Sequence, residues 1–478
     1  MIISTLWMWL LLLLATVLYF VLPAKYRWSI LLIGSMFYLG YYSVSFLVYA
    51  TVFALANYFF GRIIKKVDQP VRKKRLYLLF LILNIGQLVF YKYIDFLIQN
   101  VNWIAHSFSD KELPYLDLLV PIGISYFTFQ SIGYVINVYR GLEQPEKHLG
   151  YFLIYNLFFP KILSGPIERS ERFLPQLRNP RPFSYEDLFA GFRLILFGMF
   201  KKLVIAERLG VMVNKVYGDV GEYSGWTLLF VLLIQAIYIY SDFSGYTDMA
   251  LGIARLFGIN LTDNFNRPFL SRNVSEFWRR WHISLSNWCN DYIFKTVIFK
   301  RRRWGKWASV YAIFLTFLVI GIWHGPMWTF LILGLLQGIA INYEFFTKRT
   351  RLRIGEKAGL PLNNTLSRIF TYLFFSFSLI FFFAHSLGDA LYFTGHLFDF
   401  SRSKPVTDLG LKTTELLIGG FFALILIITD ILKEKGHDLL NIVHSKPFWL
   451  QMLVYYLILV IVLFLGKFNT TNFIYFQF

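Results

Sequence analysis

Cysteine is nearly absent. The chain of 478 residues has a single one, Cys289, which excludes an internal disulfide framework and any CxxC metal site and reads as a small packed residue. Charge is scarce as well. Only 16% of residues are charged against 56% apolar and 20% aromatic, too few ionic groups to dress the outside of a large soluble protein. Polar linkers, fixed-period repeats and low-complexity tails are missing. So are the Walker-A pattern, GxGxxG after a strand, HExxH and GxSxG. ATP-driven transport, dinucleotide chemistry, zinc proteolysis and an α/β-hydrolase triad therefore lack their local requirements.

What the chain does have is a succession of apolar runs, which predicts an all-α integral membrane protein of about ten to twelve crossings. The net charge of +19 comes from 47 Lys and Arg against 28 Asp and Glu. These cations sit in short runs between apolar segments, as the positive-inside bias produces, and no groove-reading module accompanies them, so nucleic acid is excluded as a partner. The stretch Trp7 to Leu22 has no basic residue before it and no small-residue cleavage site, and reads as a retained span followed by cytoplasmic Lys25 and Arg27. Trp28 to Tyr42 and Val44 to Phe60 form a hairpin of spans. Gly61 to Arg75, with seven basic residues and one acid, reads as a cytoplasmic loop. Leu76 to Ile98 crosses outward to a segment with Asp110 and Glu112, and Leu116 to Tyr139 returns to Arg140. From Leu149 to Arg208 the pattern degrades at Pro160, Lys161, Gly165, Pro166, Lys201 and Lys202, which fits broken or re-entrant helices shielded by protein. Trp226 to Phe257, a hairpin over Val310 to Phe346, Leu366 to Ala384, Leu416 to Leu432 and Trp449 to Gly466 complete the spans.

Three segments could carry chemistry. Thr262 to Lys306 holds ten basic residues, three acids and four tryptophans. It cannot cross hydrocarbon, where each central Arg costs about 2.5–3.5 kcal/mol on insertion scales. Phe277, Trp281, Leu285 and Trp288 recur at helical spacing, predicting either a Trp-anchored interfacial helix on anionic membrane lipids or a roof over an anionic donor. In the second case Arg279, Arg280, Lys300, Arg301, Arg302 and Arg303 are the phosphate partners. The second segment, Gly321-Ile-Trp-His-Gly-Pro326, interrupts an apolar hairpin flanked by Lys300 to Lys306 and Lys348 to Arg353. If both clusters are cytoplasmic, His324 lies at the far turn, beside Trp323. Gly325 and Pro326 free backbone carbonyls there, and an ionisable group at depth is a functional candidate. A neutral imidazole also suits a general base near pH 7. The alternative is a satisfied core histidine. The third segment, Tyr240 to Asp248, places Asp242 and Asp248 within a span, either for catalysis or to hold helices by pairing with Arg267, Arg272 or Arg279.

Several ordered blocks resemble the membrane-bound O-acyltransferase family. They are Pro121 to Gln130, Ser164-Gly-Pro-Ile167, Asp242 to Ala250, Asn264-Phe-Asn-Arg-Pro-Phe269, Glu276 to Ser286 and Trp323-His-Gly325, with Phe473 to Phe478 at the end. The resemblance is densest from Pro121 to Gly338 and is strongest to the branch of the alginate O-acetyltransferase membrane subunit. It implies a multi-helix domain over 1–478 with a central funnel or tunnel, divided into N-terminal helices (1–115), a catalytic core (116–346) and C-terminal helices (347–478). It implies His324 and, about forty residues upstream, His282 as catalytic residues, with Asp242, Asp248, Trp323 and Glu276 in support. It further implies a bacterial cytoplasmic (inner) membrane location, no bound cofactor or metal, acetyl-CoA as acyl donor, and passage of acetyl to an extracytoplasmic acetyltransferase-type partner that modifies a cell-surface polysaccharide. One departure stands out: Phe294-Lys-Thr-Val-Ile-Phe299 replaces the Pro-Leu-Gly-Gly stretch of that branch, and Ser164 to Ser170 leans to relatives that move D-alanine from a carrier protein onto teichoic acid. A flippase of a lipid-linked sugar, without bond chemistry, is the alternative of another class.

Overall fold

The computed structural model describes residues 6–108, 111–121, 123–162 and 165–468. Asp110 of the outward segment, Ile122 and Ser164 of the family blocks, and the end Phe473 to Phe478 lie outside the described residues. Among the described residues every regular element is helical. Eight helices are long and apolar enough to span a bilayer, and Trp7–Val21 is a shorter apolar helix. The remaining helices are shorter pieces.

The chain groups into two compact units, Met1–Phe192 with Ala250–Thr262, and Arg193–Met249 with Asp263–Phe478. In the first unit the helix Ile124–Arg140 is buried along nearly its whole length. Tyr38, Phe53, Phe127 and Leu157 belong to the apolar cluster around it. The expected loop Gly61 to Arg75 is instead mostly helix: Val44–Lys66 continues through its first half, and Pro70–Ala105 starts with Pro70 in the first turn. Lys and Arg are good helix formers and proline is tolerated at a helix start, so the cations extend the helices beyond the apolar spans and leave a three-residue turn, Val67 to Gln69. Up to Asn179 the degraded interval resolves into the short helices Leu149–Leu157, Phe159–Ile162 and Ser170–Arg178.

The second unit holds the candidate site. Burial separates its helices sharply: 72% of the apolar window of Trp226–Leu256 is inside the protein, against 6% for Phe448–Leu465. The first is therefore a central helix, and the second presents Leu453, Leu457, Leu463 and Phe464 outward, a surface that acyl chains satisfy and water does not. The expected hairpin forms from Lys306–His324 and Trp328–Ala358, with its turn at Gly325 to Met327.

Candidate active site

His324 is the last residue of the helix Lys306–His324. The final carbonyls of a helix have no partner within it. Here one of them is taken by the imidazole: His324 Nδ1 lies 2.7 Å from the Ile320 oxygen. A carbonyl can only accept, so Nδ1 carries the hydrogen, and in the neutral ring Nε2 is the proton-accepting nitrogen. The ring is buried between Phe330, nearly parallel at 6.1 Å, and Phe382, edge-on at 5.6 Å. Packing fixes its orientation as firmly as the hydrogen bond does.

The two arms of the hairpin meet at glycines. A Cβ on Gly321 would strike the Phe330 carbonyl and come within 3.1 Å of the Gly334 Cα, and one on Gly334 would strike the Phe317 carbonyl. Backbones this close need small residues at the crossing, as in membrane helix pairs generally. The crossing sets the depth of His324 and leaves a cavity of about 20 Å³ beside it, walled mostly by Ile239, Phe317, Leu333, Phe375, Leu379 and Phe382. Its polar wall is closed on itself. Trp278 Nε1 donates to Gln337 Oε1 (3.0 Å), Gln337 Nε2 to Ser378 Oγ (2.9 Å), and Ser378 Oγ to the Phe375 carbonyl (2.7 Å).

His282 belongs to the same unit. The single helix expected across Phe277 to Trp288 is broken: Val274–Arg280 ends, and Ile283–Cys289 begins after His282, whose φ of 45° and ψ of 51° are left-handed. For a residue with a Cβ this conformation is strained and survives only where neighbours impose it. The segment Asn264 to Asn266 imposes it. The Asn264 carbonyl accepts from Ile283 N (3.0 Å), the Asn264 side chain accepts from Ser284 N (3.1 Å) and Oγ (2.9 Å), and Asn266 N donates to the Arg280 carbonyl (2.9 Å). The turn places the His282 ring edge-on to Phe243 at 4.9 Å and to Trp323 at 5.6 Å. Trp323 is in turn 5.2 Å from His324, so the tryptophan stands in contact with both imidazoles. Trp278, Trp281 and Trp288 are buried in protein, and only Trp304 is exposed among the four.

The carboxylates of the central helix find partners other than the arginines expected for them. Lys202 Nζ contacts Asp242 (2.5 Å) and Glu207 (2.9 Å), all three essentially inaccessible, and Lys201 Nζ contacts Asp248 (2.5 Å) and Ser244 Oγ (2.9 Å). Both lysines lie on Phe200–Ala206, a π-helical turn between two α-helices. The wider turn lets two successive lysines stay inside, and helix approach at Gly198 and Gly245 brings them into reach: a Cβ on Gly198 would sit 2.5 Å from the Gly245 carbonyl. The arginines are engaged elsewhere. Arg267 meets Glu434 (3.1 Å), and Arg272 meets Glu276 (3.4 Å). Asp242 immediately precedes Phe243, so this ion cluster sets the wall on which His282 rests.

Glu276 accepts from Arg280 (2.8 Å), which also makes two bonds to Glu434 (3.0 and 2.9 Å). Arg280 is thus a clamp between Val274–Arg280 and the end of Thr413–Glu434. At the other end of the short helix, Glu344 accepts from Val274 N and Ser275 N. Of the cations expected to meet an anionic donor, Arg279 and Lys300, Arg301, Arg302 and Arg303 are exposed. Arg301 lies over the Trp304 ring and Arg302 over Phe299. Asn264, Lys202, Glu344 and Glu434 have no assigned role in the sequence reading. The legible signal was Lys201-Lys202 in an apolar stretch, a pair of charges that demands acids elsewhere.

The sequence profile of the membrane-bound O-acyltransferase family (MBOAT) matches residues 146–384. The chain is 32% identical over 390 residues to the probable alginate O-acetylase of Pseudomonas putida, covering 80% of this chain and 77% of that one. It is 33% identical over 390 residues to the peptidoglycan O-acetyltransferase of Helicobacter pylori, covering 76% and 72%. A match to the teichoic acid D-alanyltransferase of Bacillus subtilis is 32% identical over 263 residues, or 52% of this chain and 64% of that one.

Proposed function

Because this chain belongs to the membrane-bound O-acyltransferase family and is a multi-pass membrane acyltransferase, we propose that it takes an acetyl group from a cytoplasmic donor and passes it across the membrane for O-acetylation of an extracytoplasmic polysaccharide. The names of the alginate and peptidoglycan relatives support acetyl as the group moved. Acetyl-CoA at the bacterial inner membrane is the donor, and the exposed cations Arg279 and Lys300 to Arg303 neutralise its phosphates. An extracytoplasmic partner protein completes delivery to the glycan.

In this reading His324 Nε2 takes the proton from the attacking hydroxyl, on the acceptor or on a relay serine of the partner. The oxygen bonds to the acyl carbon, the carbon–sulfur bond breaks, and the proton leaves with the thiol. His282, held by the Asn264 turn, polarises the thioester carbonyl. The observation that carries the reading is the His324 ring itself: its Nδ1 is occupied by the Ile320 carbonyl at 2.7 Å while the ring lines a pocket, so its basic nitrogen is defined.

The test is mass spectrometry of surface glycans from cells carrying the wild-type chain or His324→Ala. Loss of the general base lowers transfer by about a hundred- to ten-thousandfold while the protein stays folded and abundant. Unchanged O-acylation overturns the assignment. Purified protein supplied with labelled acetyl-CoA, and separately with a D-alanyl carrier protein, identifies the donor; transfer from the carrier alone replaces acetyl with D-alanine.

A further inference from the structure

We propose that the Thr329 hydroxyl donates a hydrogen bond to the thioester carbonyl oxygen as that oxygen turns anionic under attack, which makes Thr329 a catalytic residue beside His324. This rests on the acetyl-transfer reading above, in which His324 is the base, and adds a group that meets the charge formed on the acyl carbonyl.

Among the described residues nothing bonds to the Thr329 hydroxyl, although Thr329 is only 1% exposed. A buried hydroxyl without a partner is costly, and its presence in a native fold calls for a use. The usual outlet for a threonine within a helix is the carbonyl four residues back. Thr316, on the other arm of the hairpin, takes it at 2.7 Å, and Thr16 and Thr371 take theirs at 2.8 Å. Thr329 cannot. It is the second residue of Trp328–Ala358, and four residues back stands Gly325, in the turn, with an extended backbone (φ −178°, ψ 169°). The turn that ends the helix of His324 is thus the same one that leaves this hydroxyl over.

Its place suits a developing anion. The turn from His324 to Trp328 is three residues long, and the residue after Thr329, Phe330, lies nearly parallel to the His324 ring at 6.1 Å. Thr329, Leu333 and Gln337 recur every fourth residue and are all buried, so they share one face of the helix. Leu333 and Gln337 line the pocket that His324 also lines, and Thr329 continues that face by one turn towards the bend. In the first turn of a 31-residue helix it also stands at the positive end, where the first N–H groups lack acceptors within the helix. Among the described residues that line the pocket there is no lysine or arginine, so fixed dipoles have to meet the charge. In the step itself the attacking oxygen bonds to the acyl carbon as its proton passes to His324 Nε2. The carbonyl π pair moves onto the carbonyl oxygen, to which Thr329 donates. When the carbon–sulfur bond breaks the pair returns, and the proton leaves with the thiol.

The test compares Thr329→Val, of the same shape without the hydroxyl, with Thr329→Ser, which keeps it. Both are assayed in inverted membrane vesicles holding the full chain and the cell's own acceptor, supplied with radiolabelled acetyl-CoA. Thr329→Val is expected to lower the maximal rate about a hundredfold, the scale for loss of one such donor. The KM for acetyl-CoA should change little, because the contact tightens only in the transition state. Thr329→Ser is expected to keep most of the rate. The thermal midpoint of purified Thr329→Val should hold or rise, since the variant removes a buried hydroxyl that has no partner. A valine variant as fast as wild type, a serine variant as slow as valine, or a valine variant whose midpoint falls together with its rate overturns the proposal. His324→Ala, run in parallel, separates two failures. If it is inactive while Thr329→Val is normal, the base assignment stands and only Thr329 is lost. If it transfers normally, or if wild type transfers nothing from acetyl-CoA, both are lost.

Discussion

At His324 the backbone does what a second acid does in many catalytic pairs: the Ile320 carbonyl holds one ring nitrogen and so fixes the tautomer. The same economy is absent from the buried lysines, whose ammonium groups are met by carboxylates: Asp248 for Lys201, and Asp242 and Glu207 for Lys202. Removing one partner of such a cluster strands the other, a loss of about 3–5 kcal/mol. Lys202→Met is therefore expected to lower the thermal midpoint in detergent steeply, since it removes a cation that both Asp242 and Glu207 contact. Lys202→Met combined with Asp242→Leu and Glu207→Gln is expected to recover much of the loss. If the triple variant unfolds below the single, the cluster is not a closed charge set. A separate titration belongs to the loop after Arg140. Burial, its largest influence, pushes the Glu143 carboxyl from 4.5 up to about 7, against the hydrogen bond it accepts from Ser170. The folded state thus holds this proton over a range where the unfolded chain has released it. The stabilisation is complete below about pH 4.5 and is lost as pH rises through about 7. Unfolding midpoints measured across that window should fall less for Glu143→Gln than for wild type. His324 was legible in the sequence because Gly-Pro follows it inside an apolar run. Asn264 was not, because its work is done through backbone bonds to a turn that periodicity cannot foresee.

Helices in this protein are positioned by what they lack as much as by what they carry. The hairpin arms cross where side chains vanish, so adding one methyl group at the crossing forces two backbones apart. Gly334→Ala is expected to cost about 1–3 kcal/mol and to shift the His324 ring with it; activity should fall more than that of Gly338→Ala, where the added carbon meets the flexible Phe314 ring. Equal behaviour of the two variants in unfolding and transfer assays would show that the crossing does not set the site. The spans were read well from apolar runs, within a few residues at most boundaries. The basic stretch after Thr262 was read less well. A regular apolar spacing over Phe277, Trp281, Leu285 and Trp288 predicts one helix, but the hydrogen bonds from Asn264 and Asn266 split it at His282, and tertiary bonds override a local pattern when they come as a set.

For the whole chain, charge is the organising quantity. Two basic clusters, Lys300 to Lys306 and Lys348 to Arg353, lie at the ends of the hairpin arms away from His324, where the Trp307 and Phe346 rings meet at 6.2 Å. They are expected on one side of the membrane. Cys289 is buried and out of reach of an impermeant reagent, so single cysteines introduced at Arg303 and Arg353 should react with an impermeant maleimide only in inverted vesicles. Labelling of either in intact cells would reverse the orientation. The basic clusters were readable from composition; the pairing of distant charges was not, since a one-dimensional pattern names a lonely ion without naming its mate. That pairing has a consequence for biogenesis. Lys202 leaves the ribosome 40 residues ahead of Asp242, several seconds earlier at about 5–20 residues per second. The first segment brings Glu207 for Lys202, but Lys201 meets its acid, Asp248, only on the second, and a charge alone is costly in the bilayer. The first helix is therefore expected to wait at the lateral exit of the insertion machinery until the second arrives, so that both enter the lipid with each lysine already met by an acid.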